Sequence, residues 1–180
     1  MRAGSAPESR GDDVLVGDPV VIGPGRPGDV DQCVALWISA IESRDEHPAP
    51  TGAAERCRAK FSHPATSFVV ARSGDGIVGF GLVTVPGTGA SGDPADAAYL
   101  ALLAVRPGAQ GRHAGSRLLD VLTQETRSGG HPVLVLHVLA SNRAAVALYE
   151  ARGWRAHGEL FPHPLSGEPH QTYVLDATVR

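Results

Sequence analysis

At 180 residues the chain fits one domain, enough to bury roughly 70% of its unfolded surface. Hydrophobic residues make up 42% and charged residues 19%, an ordinary globular balance, and the net charge of −3 gives no basic field for a nucleic-acid partner. No apolar run approaches the ~18 residues of a membrane span, and the opening MRAGSAPESRGDD lacks the apolar stretch of a signal peptide, so a cytoplasmic protein with no membrane partner is expected.

Residues 1–18, rich in Gly, Ser, Pro, Asp and Arg, read as a disordered tail ahead of one domain over 19–180. The β-branched run Val20 to Ile22 predicts the first strand. Asp29 stands where it can cap a helix whose apolar residues Val30, Cys33, Val34, Trp37 and Ile41 recur at helical spacing. Glu42 to Gly52 reads as a polar loop and Ala53 to Phe61 as a short helix. Cys33 and Cys57 lack any C-x-x-C context and read as reduced core thiols. The eight histidines show no H-x-x-x-H spacing, so no metal site is expected. Lys60 is the single lysine among 16 basic residues, a compositional bias to which no function attaches.

Ser67 to Ala71 and Ile77 to Val85 predict strands joined by the hairpin signal Ser73-Gly74-Asp75-Gly76. The Gly-dense stretch Pro86 to Pro94 reads as a disordered loop inside the domain. Ala98 to Val105 is a continuous apolar run, hence a buried strand. A helix follows over about His113 to Ser128, stopped by Gly129-Gly130, and Val133 to Leu139 is another buried strand. The pattern then predicts a helix from Asn142 to Arg152 and closing strands at Trp154 to His157 and Gln171 to Asp176, joined by the loop Gly158 to His170. Hairpin-linked strands in the first half and helix-alternating strands in the second predict an α/β fold: a mixed sheet of about six to seven strands with helices on both faces.

Two segments carry chemistry. Gln110-Gly111-Arg112-His113-Ala114-Gly115-Ser116 lies between a buried strand and an amphipathic helix. A strand that hands over to a helix N-terminus presents unpaired amides suited to a pyrophosphate; Gly111 and Gly115 permit close approach and Arg112 adds positive charge. Taken alone, such a turn is also what plain chain punctuation looks like, and it is neither a P-loop nor a dinucleotide fingerprint. In the second segment Asn142 opens a helix, Ala145, Leu148 and Tyr149 share a face, and Gly153-Trp154 ends it. By itself Tyr149 reads as an amphipathic core tyrosine.

Together the two segments resemble the GNAT superfamily of acetyl-CoA-dependent N-acetyltransferases. Its cofactor loop, Q/R-x-x-G-x-G/A after a strand ending V-x-P, is matched by Val105-Arg106-Pro107 and Gln110 to Ser116. Its later stretch, N-x-x-A-x-x-L-Y-E-x-x-G-W/F, is matched at Asn142, Ala145, Leu148, Tyr149, Glu150, Gly153 and Trp154, and the separation of about 30 residues fits. The resemblance spans residues 19–178 and is strongest from Tyr99 to Trp154. It departs at His113, where the family has Gly or Ala. The ring either points to solvent, which we favour because a helix-start backbone does not demand glycine, or crowds the pyrophosphate.

The resemblance implies acetyl-CoA as co-substrate, without a metal, and a primary amine of a small molecule as acceptor. It assigns Leu103, Ala104 and Val105 to the acyl and pantetheine end of the cofactor, in a splay between two parallel strands. It gives Gln110 to Ser116 the pyrophosphate, sets Asn142 beside the thiol and makes Tyr149 the proton donor to the departing thiolate. An alkylamine is protonated at neutral pH, so a base is needed. Some family members keep a Glu eleven residues ahead of the motif Gln; that position is Tyr99, a poor base. Water or another residue then takes the proton, the candidates being Asp45, Glu46, Asp96, His137, Glu159 and His163, with His137 foremost because its strand borders the splay. The acidic loop Glu42 to Glu46 offers attraction for a cationic amine. A protein or peptide N-terminal acetyltransferase and a non-catalytic acyl-CoA-binding module remain alternatives, and a homodimer is compatible with the family.

Overall fold

The computed structural model describes residues 19–74, 76–109, 113–163 and 167–176. The expected N-terminal tail and the loop residues Gln110, Gly111 and Arg112 lie outside the described residues. In chain order the elements are β1 (Val21–Pro24), α1 (Val30–Asp45), α2 (Ala53–Lys60), β2 (Ala65–Ser73), β3 (Gly76–Thr84), β4 (Ala98–Val105), α3 (Ala114–Ser128), β5 (Val133–Leu139), α4 (Arg143–Glu150), β6 (Arg155–Pro162) and β7 (Pro169–Asp176). They form one sheet of seven strands in the order β1-β2-β3-β4-β5-β7-β6. Its pairings are antiparallel except β4–β5, which is parallel.

Helices cover both faces, as the alternation of apolar residues requires. On one face Leu118, Leu119 and Leu122 of α3 and Tyr149 of α4 pack with Val69, Leu100, Leu134 and Leu136. On the other, Cys33, Val34 and Leu36 of α1 and Cys57 of α2 pack with Val70, Phe80, Leu82 and Leu102. Burial pushes both cysteine thiols up to about 12, so they are protonated core groups rather than nucleophiles.

Four local expectations are corrected. Helix α1 runs one turn past Ile41, to Asp45, and stops where Glu46 turns left-handed. Asp29 precedes α1 but does not cap it with its side chain; the carboxylate instead accepts two bonds from Arg72 at 2.7 and 2.8 Å, tying the helix start to β2. The Gly158 to His170 loop is largely strand, because β6 and β7 pair out to Phe161↔His170 and Pro162↔Pro169. As an outer strand β6 is exposed along almost its whole length, so it carries no alternation to read, and proline is tolerated at its end. The Pro86 to Pro94 stretch is a braced loop: Thr88 Oγ1 donates to the Val85 carbonyl at 2.7 Å and the Ala90 amide donates to Asp93 Oδ2 at 2.7 Å.

Glycines on β3 set how closely α3 lies on the sheet. A Cβ at Gly81 would stand 2.3 Å from Leu122 Cδ1, and one at Gly79 would stand 2.9 Å from Leu118 Cδ1 and 3.1 Å from the Ala104 carbonyl oxygen. Gly81→Val is therefore expected to cost about 1–3 kcal/mol through overpacking. Gly28→Ala, where a Cβ meets nothing within 4 Å, should stay within about 0.5 kcal/mol of the parent. Urea denaturation of the two variants beside the parent checks both; equal midpoints would show that α3 has room to move.

Candidate active site

Strands β4 and β5 pair only at Ala98↔Leu134 and Tyr99↔Val135. Beyond that, β4 stays with β3, placing Leu103, Ala104 and Val105 opposite Gly81, Phe80 and Gly79, while β5 stays with β7 as far as Leu139↔His170. The two parallel strands part, leaving a wedge in the middle of the sheet. Its origin is local. Leu100 faces Val83 and Leu102 faces Leu82, so Ala101 is the extra residue of a bulge. The bulge also exchanges faces: Ala98 and Leu100 pack on the α3 and α4 side, Leu102 and Ala104 on the α1 and α2 side.

Past the wedge the chain turns through Pro107–Ala109 toward the N-terminus of α3. The His113 side chain does not cap that helix and its first turn holds no acid, so among the described residues its first amides face no acidic side chain from their own turn. Helix α4 differs, since Asn142 Oδ1 accepts from the Ala145 amide at 3.3 Å. A Cβ at Gly115 would meet Val105 Cγ2 and Leu148 Cδ2 at 3.6 and 3.7 Å, ordinary contact, so protein packing alone does not demand glycine there. His113 is exposed, in agreement with a solvent-facing ring, but its φ is +57°. The helix start uses the left-handed region, where glycine would be easier although the chain places histidine there.

Tyr149 is buried on the α3 and α4 face, its ring 5.8 Å from that of Trp154. Burial raises its phenol well above the usual tyrosine value, and the Tyr99 phenol adds to the rise. Burial, aided by Asp93, also pushes Tyr99 up to about 12, so it is no base.

The α1 and α2 side of the wedge is polar. His137 Nε2 lies 2.7 Å from Asp93 Oδ1, with side chains only 12% and 9% exposed. The His137 ring packs against Tyr99 at 5.2 Å and edge-on to Phe161 at 5.4 Å. His163 stacks on His170 at 4.5 Å, and burial lowers both imidazoles from the usual histidine value. Of the candidate bases, His137 is the one that packs against Tyr99 and has a carboxylate partner. Asp45 is held by both Arg44 nitrogens, and Glu46, Asp96 and Glu159 are exposed. Glu42 accepts from the Ala49 amide at 3.3 Å, so this loop satisfies part of its own charge. Asp93 had no sequence signal; its role comes from a partner 44 residues away. Among the described residues, no group of His, Cys, Asp and Glu side chains could hold a metal ion, and no helix is long and apolar enough to cross a membrane.

Comparison with known proteins agrees with this geometry. The model of the acetyltransferase (GNAT) family matches residues 34–154. A mycothiol acetyltransferase of Streptomyces avermitilis is 29% identical over 146 residues, 78% of this chain but 44% of the relative. The chain therefore spans less than half the length of that protein. The ribosomal-protein-S18-alanine N-acetyltransferase of Escherichia coli shares the fold at a TM-score of 0.66 and 23% identity, covering 88% of this chain and 94% of the other. So does yncA of Salmonella typhimurium, solved with its cofactor acetyl-CoA, at a TM-score of 0.66 and 17% identity over 88% and 94%.

The His113 backbone yields a prediction independent of any ligand. A non-glycine residue in the left-handed region costs about 1–2 kcal/mol, so His113→Gly should raise the melting temperature by about 2–8 °C. His113→Val should lower it, because a β-branched residue tolerates that region least. Thermal melts without cofactor decide; a Val variant as stable as the parent would remove the strain.

Proposed function

The chain belongs to the acetyltransferase (GNAT) family, and from that membership we propose that it is an acetyl-CoA-dependent N-acetyltransferase acting on the primary amine of a small molecule. The observation that carries this reading is the wedge opened by the Ala101 bulge and leading to an uncapped helix N-terminus. Residues Leu103, Ala104 and Val105 border the wedge, where strand edges suit the amides of an extended pantetheine arm. A backbone N–H there polarises the thioester carbonyl. The segment Gln110, Gly111, Arg112, His113, Ala114, Gly115 and Ser116 takes the pyrophosphate. Asn142 holds the region of the thiol through the amide nitrogen that its cap leaves unused.

Acetyl-CoA supplies the activated thioester; the residues manage two protons. With Asp93 ionised, His137 donates Nε2–H to it and keeps Nδ1 as the proton acceptor, the orientation a general base needs. His137 takes the proton of the acceptor ammonium, and the freed amine forms the C–N bond as the C–S bond breaks. Tyr149 donates its hydroxyl proton to the departing thiolate; its raised affinity for that proton keeps it loaded beforehand. Phe161, brought over His137 by the β6–β7 pairing, narrows the acceptor side, which favours a small molecule over a folded protein chain.

CoA at 100 times its dissociation constant should stabilise the protein by about 2.7 kcal/mol, raising the melting temperature of parent and Tyr149→Phe alike. Tyr149→Phe should lower kcat by about 10² to 10⁴ with little change in KM for acetyl-CoA. No melting shift at millimolar CoA would reject the cofactor, and full activity in the variant would return Tyr149 to a packing role.

His137→Ala should also lose about 10² or more in kcat near neutrality, with activity recovering as pH climbs toward the amine's own pKa of about 10. A pH–rate profile parallel to that of the parent would leave deprotonation to water.

A further inference from the structure

We propose that the acceptor is an amine that also carries a carboxylate, an amino acid or a close relative, and that the Lys60 ammonium, laid over the Tyr99 ring beside the His137–Asp93 pair, receives that carboxylate. The proposal rests on the acetyl-transfer reading above and names its substrate class. Lys60 ends α2 and is half-buried, with Nζ 4.9 Å from the Tyr99 ring centre and 3.4 Å from the Tyr99 hydroxyl. A phenol and an aromatic face are neutral partners, and among the described residues no carboxylate pairs with this ammonium. A partly desolvated cation without an anion is an unfavourable arrangement that a carboxylate ligand would relieve. Burial lowers the affinity of Lys60 for its proton, as expected of such a site.

The nearby charges reinforce the point. Arg56 stands one helical turn before Lys60, and its guanidinium donates to the Thr51 carbonyl at 3.0 Å rather than to an acid. Arg56, Arg44 and Lys60 all act on the His163 imidazole, opposed by Glu168. Arg44 already holds Asp45. Asp93, the acid nearest the base, is committed through both oxygens, Oδ1 to His137 and Oδ2 to the Ala90 amide. The recess therefore has surplus positive charge on one wall and a proton acceptor on the other. The distance between them sets the length of the substrate. Lys60 Nζ and the His137 ring both touch the Tyr99 ring, so they lie at most about 10 Å apart. Two hydrogen bonds of about 2.8 Å leave room for an amine and a carboxylate separated by one to three carbons.

The test is kcat/KM by thiol release from acetyl-CoA with matched pairs: β-alanine and ethylamine, 4-aminobutyrate and propylamine, phenylalanine and phenethylamine. The parent should favour each acid over its decarboxylated partner by about ten- to a hundredfold. Lys60→Met should erase that preference by raising KM for the acids more than for the plain amines, and Lys60→Arg should keep most of it. Lys60→Gln replaces the Met variant if melts show it unfolded. Equal use of both members by the parent, or an equal loss on both in Lys60→Met, overturns the proposal. If no amine is acetylated, the transfer reading is at fault, and melts of CoA-saturated protein read the carboxylate site separately. Acids that stabilise the parent but not Lys60→Met would uphold it; acids that stabilise neither would overturn it.

Discussion

One surplus residue in a central strand governs the rest of the site. Were Ala101 absent, β4 would carry the register of Leu100 against Val83 on to its next residue, and its side chains would keep the same faces throughout. Parallel pairing with β5 would then have no reason to stop at Tyr99. With the bulge in place, the sheet must choose between neighbours, and β4 follows β3 because that ladder also carries the close packing of α3 against Gly79 and Gly81. The cost is a run of parallel strand edges without ladder partners, which a compact sheet does not leave open to one another without a use for them. The bulge is the kind of local defect that sheets employ next to active sites.

The same defect divides the chemistry between two environments. On the α3 and α4 side the wedge is lined by a dense apolar cluster, and burial there makes Tyr149 hold its proton tightly. On the other side the sheet face carries Tyr99, His137 and Phe161, backed by Asp93 from the β3–β4 loop and approached by Lys60 from α2. A buried phenol and an imidazole–carboxylate pair thus sit on opposite faces of the sheet. Net charge conceals this arrangement: the chain is −3 overall, yet Lys60 and Arg56 both act on the His163 imidazole, opposed there by Glu168. Charge counted over a whole chain speaks to solubility and long-range attraction, whereas a recess responds to the few groups that face it.

How much could be read beforehand follows from the range of the interactions. The strands Ala98–Val105 and Val133–Leu139 and the helix ending at Ser128 were legible because each writes its burial into a contiguous pattern. The helix start near Ala114 and the Asn142 cap were legible because helix-terminal chemistry is local. The continuation of strand β6 beyond His157 was not, since an outer strand with both faces exposed has no hydrophobic period. Nor was the conformation of His113, because a left-handed residue other than glycine is imposed by what joins on either side of it.

The sequence by itself determined the alternation of elements, the mixed sheet and the family, all of which rest on periodicity or short motifs. Tertiary structure alone decided the acceptor side. Asp93, in a stretch that read as disordered, becomes the partner of His137 only when the β3–β4 loop folds back over β5. Lys60, which read as compositional accident, gains meaning only from lying 4.9 Å over a ring 39 positions later in the chain. Pairwise contacts between residues that far apart leave no periodic trace in one sequence; the sheet order brings them together.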